Sequence, residues 1–324
     1  MERRFAEIDA LKSIGILTVV LIHSVRAPFD PGISTFEIWL GHLTRFAVPA
    51  FLISSGFLYA GVPATSARTF RRLRRIGIPY FAASLLGQAF WAARGEQTET
   101  GHWPSDLLFG SSMGPYYYVF VIFGLVLATP LFARLGRRAQ IGVLCVLVAS
   151  QWWVDAASGM LTSFFWHLRN PLLWWAYFAM GWMLRSAYDP IRAFLMARRT
   201  LALAVCLAAV SLLSALSGLA EPRLLVRTAA WLNIYAICAL IFVTACGSER
   251  VPNALRALSD ASYPIYLLHM FFVLAATDLF PPPPRHIALL PVVVPWAAGV
   301  LGSISVIAAL QAALGKRSRD WIGA

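Results

Sequence analysis

Long apolar runs, each about the length of a bilayer's hydrocarbon core, recur along nearly the whole of this 324-residue chain, separated by short arginine clusters. Such runs restrict the fold severely. Inside lipid every backbone N–H and C=O must be paired within its own helix or in a closed barrel, so successive apolar stretches of about 20 residues form spanning helices. The chain is 59% hydrophobic and only 13% charged, against roughly 25% charge in an ordinary soluble domain. The expected class is all-α: a polytopic integral membrane protein with about ten transmembrane helices. The expected spans lie near residues 10–27, 36–60, 76–93, 115–133, 139–155, 171–187, 200–218, 227–247, 262–280 and 287–313.

An even number of spans puts both chain ends on one side. With that side as the cytoplasm, 20 of the 27 Lys and Arg fall at cytoplasmic span ends, among them Arg3, Arg4, the Arg68–Arg75 cluster and Lys316–Arg319. The positive-inside rule therefore predicts N-in, C-in. The net charge of +12 does not point to nucleic acid, because the basic residues form short clusters between apolar runs, with no basic tail or arm. Membrane lipids are the expected surroundings. Cys145, Cys206, Cys238 and Cys246 fall singly inside apolar segments without metal-ligand spacing, so no metal is expected. No polar stretch is long enough for a soluble domain, and residues 1–324 read as one membrane-embedded domain.

Within the first span three ionisable residues are aligned. At 100° per residue, Lys12 and His23 lie about 20° apart around a helix, Asp9 lies about 40° from His23, and Lys12 and His23 are separated by roughly 16 Å along the axis. Ionisable groups in a spanning helix face the protein interior or a wet cavity, and mark function. The plainer reading is a Lys12 that snorkels to the interface and a His23 satisfied by neighbouring backbone. It leaves the alignment of all three unexplained.

A second cluster, F-R-R-L-R-R-I-G-I-P-Y, opens the third span. Part of it is topology signal, but Arg72 and Arg75 are spaced i, i+3 and project together as a clamp suited to phosphate oxygens. Attraction to anionic lipid is the other role open to them. Further on, P-A-F-L-I-S-S-G supplies Ser54, Ser55 and a helix-packing glycine. The run S-Y-P-I-Y-L-L-H spaces Tyr263, Tyr266 and His269 as a polar stripe. Residues 94–114 read as an outer loop, as does the proline run Pro281–Pro284 with Arg285 and His286. Trp152, Trp153, Trp166, Trp174 and Trp175 fit an interfacial aromatic belt.

In this order, the segments resemble the membrane-bound acyltransferase-3 family, whose members carry acyl groups from cytoplasmic acyl-CoA to sugars of surface glycans. The family's first helix has an acid, then Arg or Lys, then ten residues and His; here these are Asp9, Lys12 and His23. Its Arg-x-x-Arg, aliphatic, Pro-Tyr opening of helix three is matched by Arg72, Arg75, Ile76, Pro79 and Tyr80. The S-Y-P-I-Y-L-L-H run is similar to its serine-tyrosine-…-tyrosine-leucine-histidine element. Where the family often has Trp-Phe in span four, this chain has Tyr116, Tyr117 and Tyr118.

The resemblance implies an O-acyltransferase of a cell membrane, bacterial inner membrane by expectation, with acetyl-CoA or another acyl-CoA as donor and a glycan or glycolipid as acceptor. His23 is the implied base. Arg72, Arg75 and Lys12 are implied in donor binding; Asp9 and Lys12 are grouped with His23 in the catalytic site, for CoA recognition or for positioning of that site. Ser54, Ser55, Tyr117, His167, Tyr266 and His269 are the candidates for holding the acceptor. A covalent route would make His23, Ser54 or Ser55 the acyl carrier; direct transfer is simpler. The alternative from another class is an exporter of a lipid-linked sugar or acyl compound. Transporters commonly contain repeats, and none is evident here.

Overall fold

The computed structural model describes residues 4–25, 35–156, 164–219, 222–248, 251–280 and 289–315, with positions 318 and 321 beyond them. The proline run at 281–284, with Arg285 and His286, lies outside the described residues. Among these, every regular element is helical. Chain order runs through α1 (Ala6–Ser24), α2 (Thr35–Thr44), α3 (Ala47–Ala60), α4 (Ser66–Ala93) and the short α5 (Trp103–Phe109). After a 3-10 turn at Gly114–Tyr116 come α6 (Tyr117–Arg134), α7 (Arg137–Ala156) and the six-residue α8 (Phe164–Arg169). A second 3-10 turn at Pro171–Leu173 leads to α9 (Trp175–Ser186), α10 (Tyr188–Ala197) and α11 (Arg199–Ser217). The series ends with α12 (Arg223–Ala245), α13 (Asn253–Leu279) and α14 (Leu289–Leu314).

Seven helical stretches among the described residues are long and apolar enough to cross a membrane: Trp39–Ala60, Ser66–Ala93, Gly114–Arg134, Arg199–Ser217, Arg223–Ala245, Asn253–Leu279 and Leu290–Leu314. The other three expected spans are not among these seven. α1 has 19 residues but carries Glu7, Asp9 and Lys12 in its first half, and α7 opens on Arg137 and Arg138. The helix found within 171–187 has only 12 residues; at 1.5 Å per residue it rises about 18 Å, short of a ~30 Å core.

Boundaries differ for local reasons. The expected second span is broken at Arg45 and Phe46, between α2 and α3. Pro49 falls in the first turn of α3, where a missing N–H removes no helical bond. α4 starts at Ser66, well before its apolar run, because arginine is a good helix former and charge alone does not end a helix. α13 likewise begins at Asn253.

By compactness the chain falls into two units: residues 1–15, 42–65 and 127–259 in the first, and residues 16–41, 66–126 and 260–324 in the second. In the first unit α3 and α9 approach backbone to backbone. A Cβ at Gly56 would lie 1.9 Å from the Phe178 carbonyl oxygen, and one at Gly181 would lie 2.0 Å from that of Ile53. Small residues permit this closeness, and dispersion then holds the pair. Side-chain amides add cross-links. Gln151 donates to the Leu173 carbonyl at 2.7 Å and accepts from the Tyr235 hydroxyl at 2.5 Å, while Asn233 donates to Ser214 Oγ at 3.0 Å.

In the second unit α14 packs on α1 and α13: Trp296 Nε1 donates to the Leu17 carbonyl at 2.9 Å, and Gly299 leaves room for Val20 and Val273. Residues 94–114 contain α5 and are organised by Asp106, which is fully buried. Its carboxylate accepts from Gln88 Nε2 at 2.9 Å, from Thr100 Oγ1 at 2.8 Å and from Thr98 Oγ1. Gly110 ends α5 at φ 68°, with the Tyr116 carbonyl where a Cβ would be. Asp106→Ala leaves those donors facing an apolar methyl, and we expect about 2 kcal/mol or more of lost stability. A lower melting temperature in detergent, with Asp106→Asn intermediate, is the check.

Candidate active site

In the second unit, the last turn of α1 brings His23 beside His269 from α13; the ring centroids are 5.3 Å apart, with planes inclined at 42°. His269 is fully buried, whereas His23 is only half-buried. The Nδ1 of His269 lies 2.7 Å from the Tyr266 carbonyl oxygen and 3.2 Å from that of Ile265. Carbonyl oxygens only accept, so Nδ1 carries the ring proton. Nε2 is then a lone pair, and among the described residues no group donates to it.

A tyrosine cluster gathers on Tyr266, whose ring centroid lies 6.2 Å from that of His269. Tyr266 packs against Tyr118 at 5.6 Å, Tyr116 at 6.1 Å and Tyr263 at 6.2 Å, with the half-buried Tyr117 also close by. Their hydroxyls tie helices together. Tyr266 donates to the Pro115 carbonyl, Tyr116 to that of Leu267 at 2.5 Å, Tyr263 to that of Ile76 at 2.7 Å, and Tyr80 to that of Leu107 at 2.7 Å.

In the first unit the other end of α1 holds two buried acids. Asp9 accepts from Arg4 Nε at 2.6 Å, from Arg4 Nη2 at 3.1 Å and from Ser259 Oγ at 2.6 Å. Ser13 Oγ reaches both the Asp9 carbonyl, at 2.7 Å, and the Leu255 carbonyl, at 2.5 Å. Glu7 accepts from the Tyr188 hydroxyl at 3.0 Å, with Arg192 Nε at 3.8 Å. A buried carboxylate needs such pairing, since an uncompensated charge there is strongly destabilising. Lys12 is half-buried on the same helix.

The arginine cluster occupies the first turns of α4, where Arg72 is half-buried and Arg75 exposed. Ser54 is 1% exposed and donates to the Ala50 carbonyl of its own helix at 2.7 Å, whereas Ser55 is half-buried. His167 is half-buried in α8, in the first unit, and is not part of the second unit's tyrosine–histidine group. Among the described residues no group of three or more His, Cys, Asp or Glu is arranged to hold a metal ion.

A family model described as an acyltransferase domain, Acyl_transf_3, matches residues 5–312. The chain belongs to the acyltransferase-3 family. No curated protein and no solved structure matches it. The matched range takes in both histidines, both buried acids of α1 and the arginine cluster of this acyltransferase.

Several of its buried polar residues carry no signal in the motifs. Glu7 lies two residues, about 200° around the helix, from Asp9. It therefore falls off the Asp9–Lys12–His23 stripe and finds separate partners in Tyr188 and Arg192. Ser259 is an ordinary serine until α13 delivers it to Asp9. Asp106 reads as a surface acid in a polar loop, and only the folding of that loop around it reveals its burial.

Proposed function

We propose that this acyltransferase-3 protein moves an acetyl or other acyl group from cytoplasmic acyl-CoA onto a hydroxyl of a cell-surface or exported glycan. It works within a bacterial inner membrane through about ten spans, N-in and C-in. The observation that carries the reading is His23: a half-buried imidazole on α1, inside the family match, that engages no hydrogen bond among the described residues and is therefore available to substrate.

In the proposed step the acceptor hydroxyl oxygen attacks the thioester carbonyl while its proton passes to the neutral ring of His23. The C–S bond breaks as the ester forms, and the proton passes on to the departing CoA thiolate. Arg72 and Arg75 suit the phosphates of the donor, because guanidinium groups grip phosphate oxygens in two-point fashion and Arg75 is exposed at the start of α4. Asp9, locked by Arg4 and Ser259, acts as a structural anchor that sets the pitch of α1 and so the position of Lys12. Tyr117, Tyr266 and His269 belong to the acceptor side.

Thiol release from acetyl-CoA by purified protein in nanodiscs tests this. Arg75→Ala is expected to raise the KM for acetyl-CoA about tenfold or more with little change in kcat, the pattern for loss of a charge-assisted contact made equally in ground and transition states. Wild-type protein that neither binds nor turns over acetyl-CoA or longer acyl-CoAs would overturn the reading.

A further inference from the structure

The histidine pair supports an inference that rests on the acyl-transfer reading of His23 and deepens it. The Nδ1 proton of His269 is committed to carbonyls of its own helix, and its fully buried Nε2 lone pair meets no donor among the described residues. A buried acceptor without a donor is costly, so an N–H or O–H that reaches it is held firmly. Two rings are near. Tyr266 has its centroid 6.2 Å away, but its hydroxyl proton is already given to Pro115. His23 is nearer, at 5.3 Å, and makes no competing hydrogen bond among the described residues. Two imidazoles joined edge to edge by an N–H···N bond of ~2.9 Å, with ~1.1 Å from each centroid to its nitrogen, have centroids roughly 5.1 Å apart. A modest rotation of the half-buried His23 ring therefore completes the bond.

We infer that His269 is a positioning residue: its Nε2 accepts the ring N–H of His23, holds His23 in one tautomer, and leaves His23's other nitrogen as the lone pair that takes the acceptor's proton. The order is set from the backbone outward. The carbonyls of Tyr266 and Ile265 fix the tautomer of His269, and His269 fixes that of His23. When His23 takes the acceptor's proton it carries two N–H groups, one still held by His269, and the second proton leaves with the CoA thiol.

The test compares His269→Leu, His269→Gln and His23→Ala in nanodiscs with acetyl-CoA as the probe. Glutamine sets an acceptor oxygen near the Nε2 position but is no base. His269→Leu is expected to lower kcat for thiol release about a hundredfold with KM unchanged, and His269→Gln to recover at least roughly a tenth of the wild-type kcat. An unaffected kcat in His269→Leu overturns the inference. So does a glutamine variant as inactive as the leucine one, which would make His269 the base itself. Solid-state nitrogen NMR on histidine-labelled wild type, assigned by difference from His23→Ala, needs no other variant to fold. A single His23 tautomer, becoming a mixture in His269→Leu, supports the pairing; a mixture in wild type overturns it. Wild type that is indifferent to His23→Ala defeats the acyl-transfer reading instead, and the nitrogen spectrum still decides the pairing.

Discussion

Thiol release from acetyl-CoA is expected to fall about a hundredfold or more in His23→Ala, the lower end of what a positioned general base contributes. The substitution is structurally mild. His23 sits in the last turn of α1, only half-buried, and its ring neighbour among the described residues is His269, so alanine gives up that contact and the bond inferred with it. Helix propensity also favours the change slightly. The variant should therefore express, purify and bind acetyl-CoA like wild type, with its whole deficit in kcat. This contrasts with Arg75→Ala, where the deficit lies in KM. A His23→Ala protein that folds, binds donor and releases thiol at the wild-type rate would remove the base from the mechanism.

The second large effect concerns folding. Gly181→Ala would force a methyl to within 2.0 Å of the Ile53 carbonyl oxygen and 2.9 Å of the Phe57 nitrogen. These are backbone atoms of α3, so no side chain can swing aside and the two helices must separate by more than an ångström. Overpacking of this kind typically costs 1–3 kcal/mol and more when backbone has to move, so a loss of about 3 kcal/mol is expected. Gly56→Ala meets the Phe178 carbonyl at 1.9 Å and should behave alike. The double variant should lose less than the sum, since one displacement of the helices relieves both clashes. Gly142→Ala on α7 is the control: nothing lies within 4 Å of its added methyl, and helix propensity predicts a small gain. Unfolding in increasing denaturing detergent would order the four variants against wild type. Equal stability of Gly181→Ala and wild type would mean that α3 and α9 do not meet as described.

The two findings bear differently on what a reader of the sequence can see. The apolar runs that become α11, α12 and α14 are plain, because lipid demands length and apolarity from a single segment. The break at Arg45–Phe46 and the shortness of α9 are not, since they depend on what packs beside them. The stripe on α1 is legible because helical periodicity is local, and all three of its residues do lie on that one helix. His269 is legible as a candidate from its motif, but its nearness to His23 joins residues from opposite ends of the chain and has no local trace. The same holds for Asp9 with Ser259, and for the glycine crossing, where Gly56 stands out in S-S-G but its partner Gly181 does not.

The division into two units has a consequence for how such a chain can be altered. The chain passes between them inside α1, α2, α6 and α13, at Gly15, Gly41, Val126 and Ser259, and not only in connecting segments. No pair of cuts in loops releases either unit with its helices whole. Gene fragments that end at loops will therefore not express one unit as a separate module. Chimaeras that exchange substrate preference between relatives should join within these helices at matched register, or replace single residues in place.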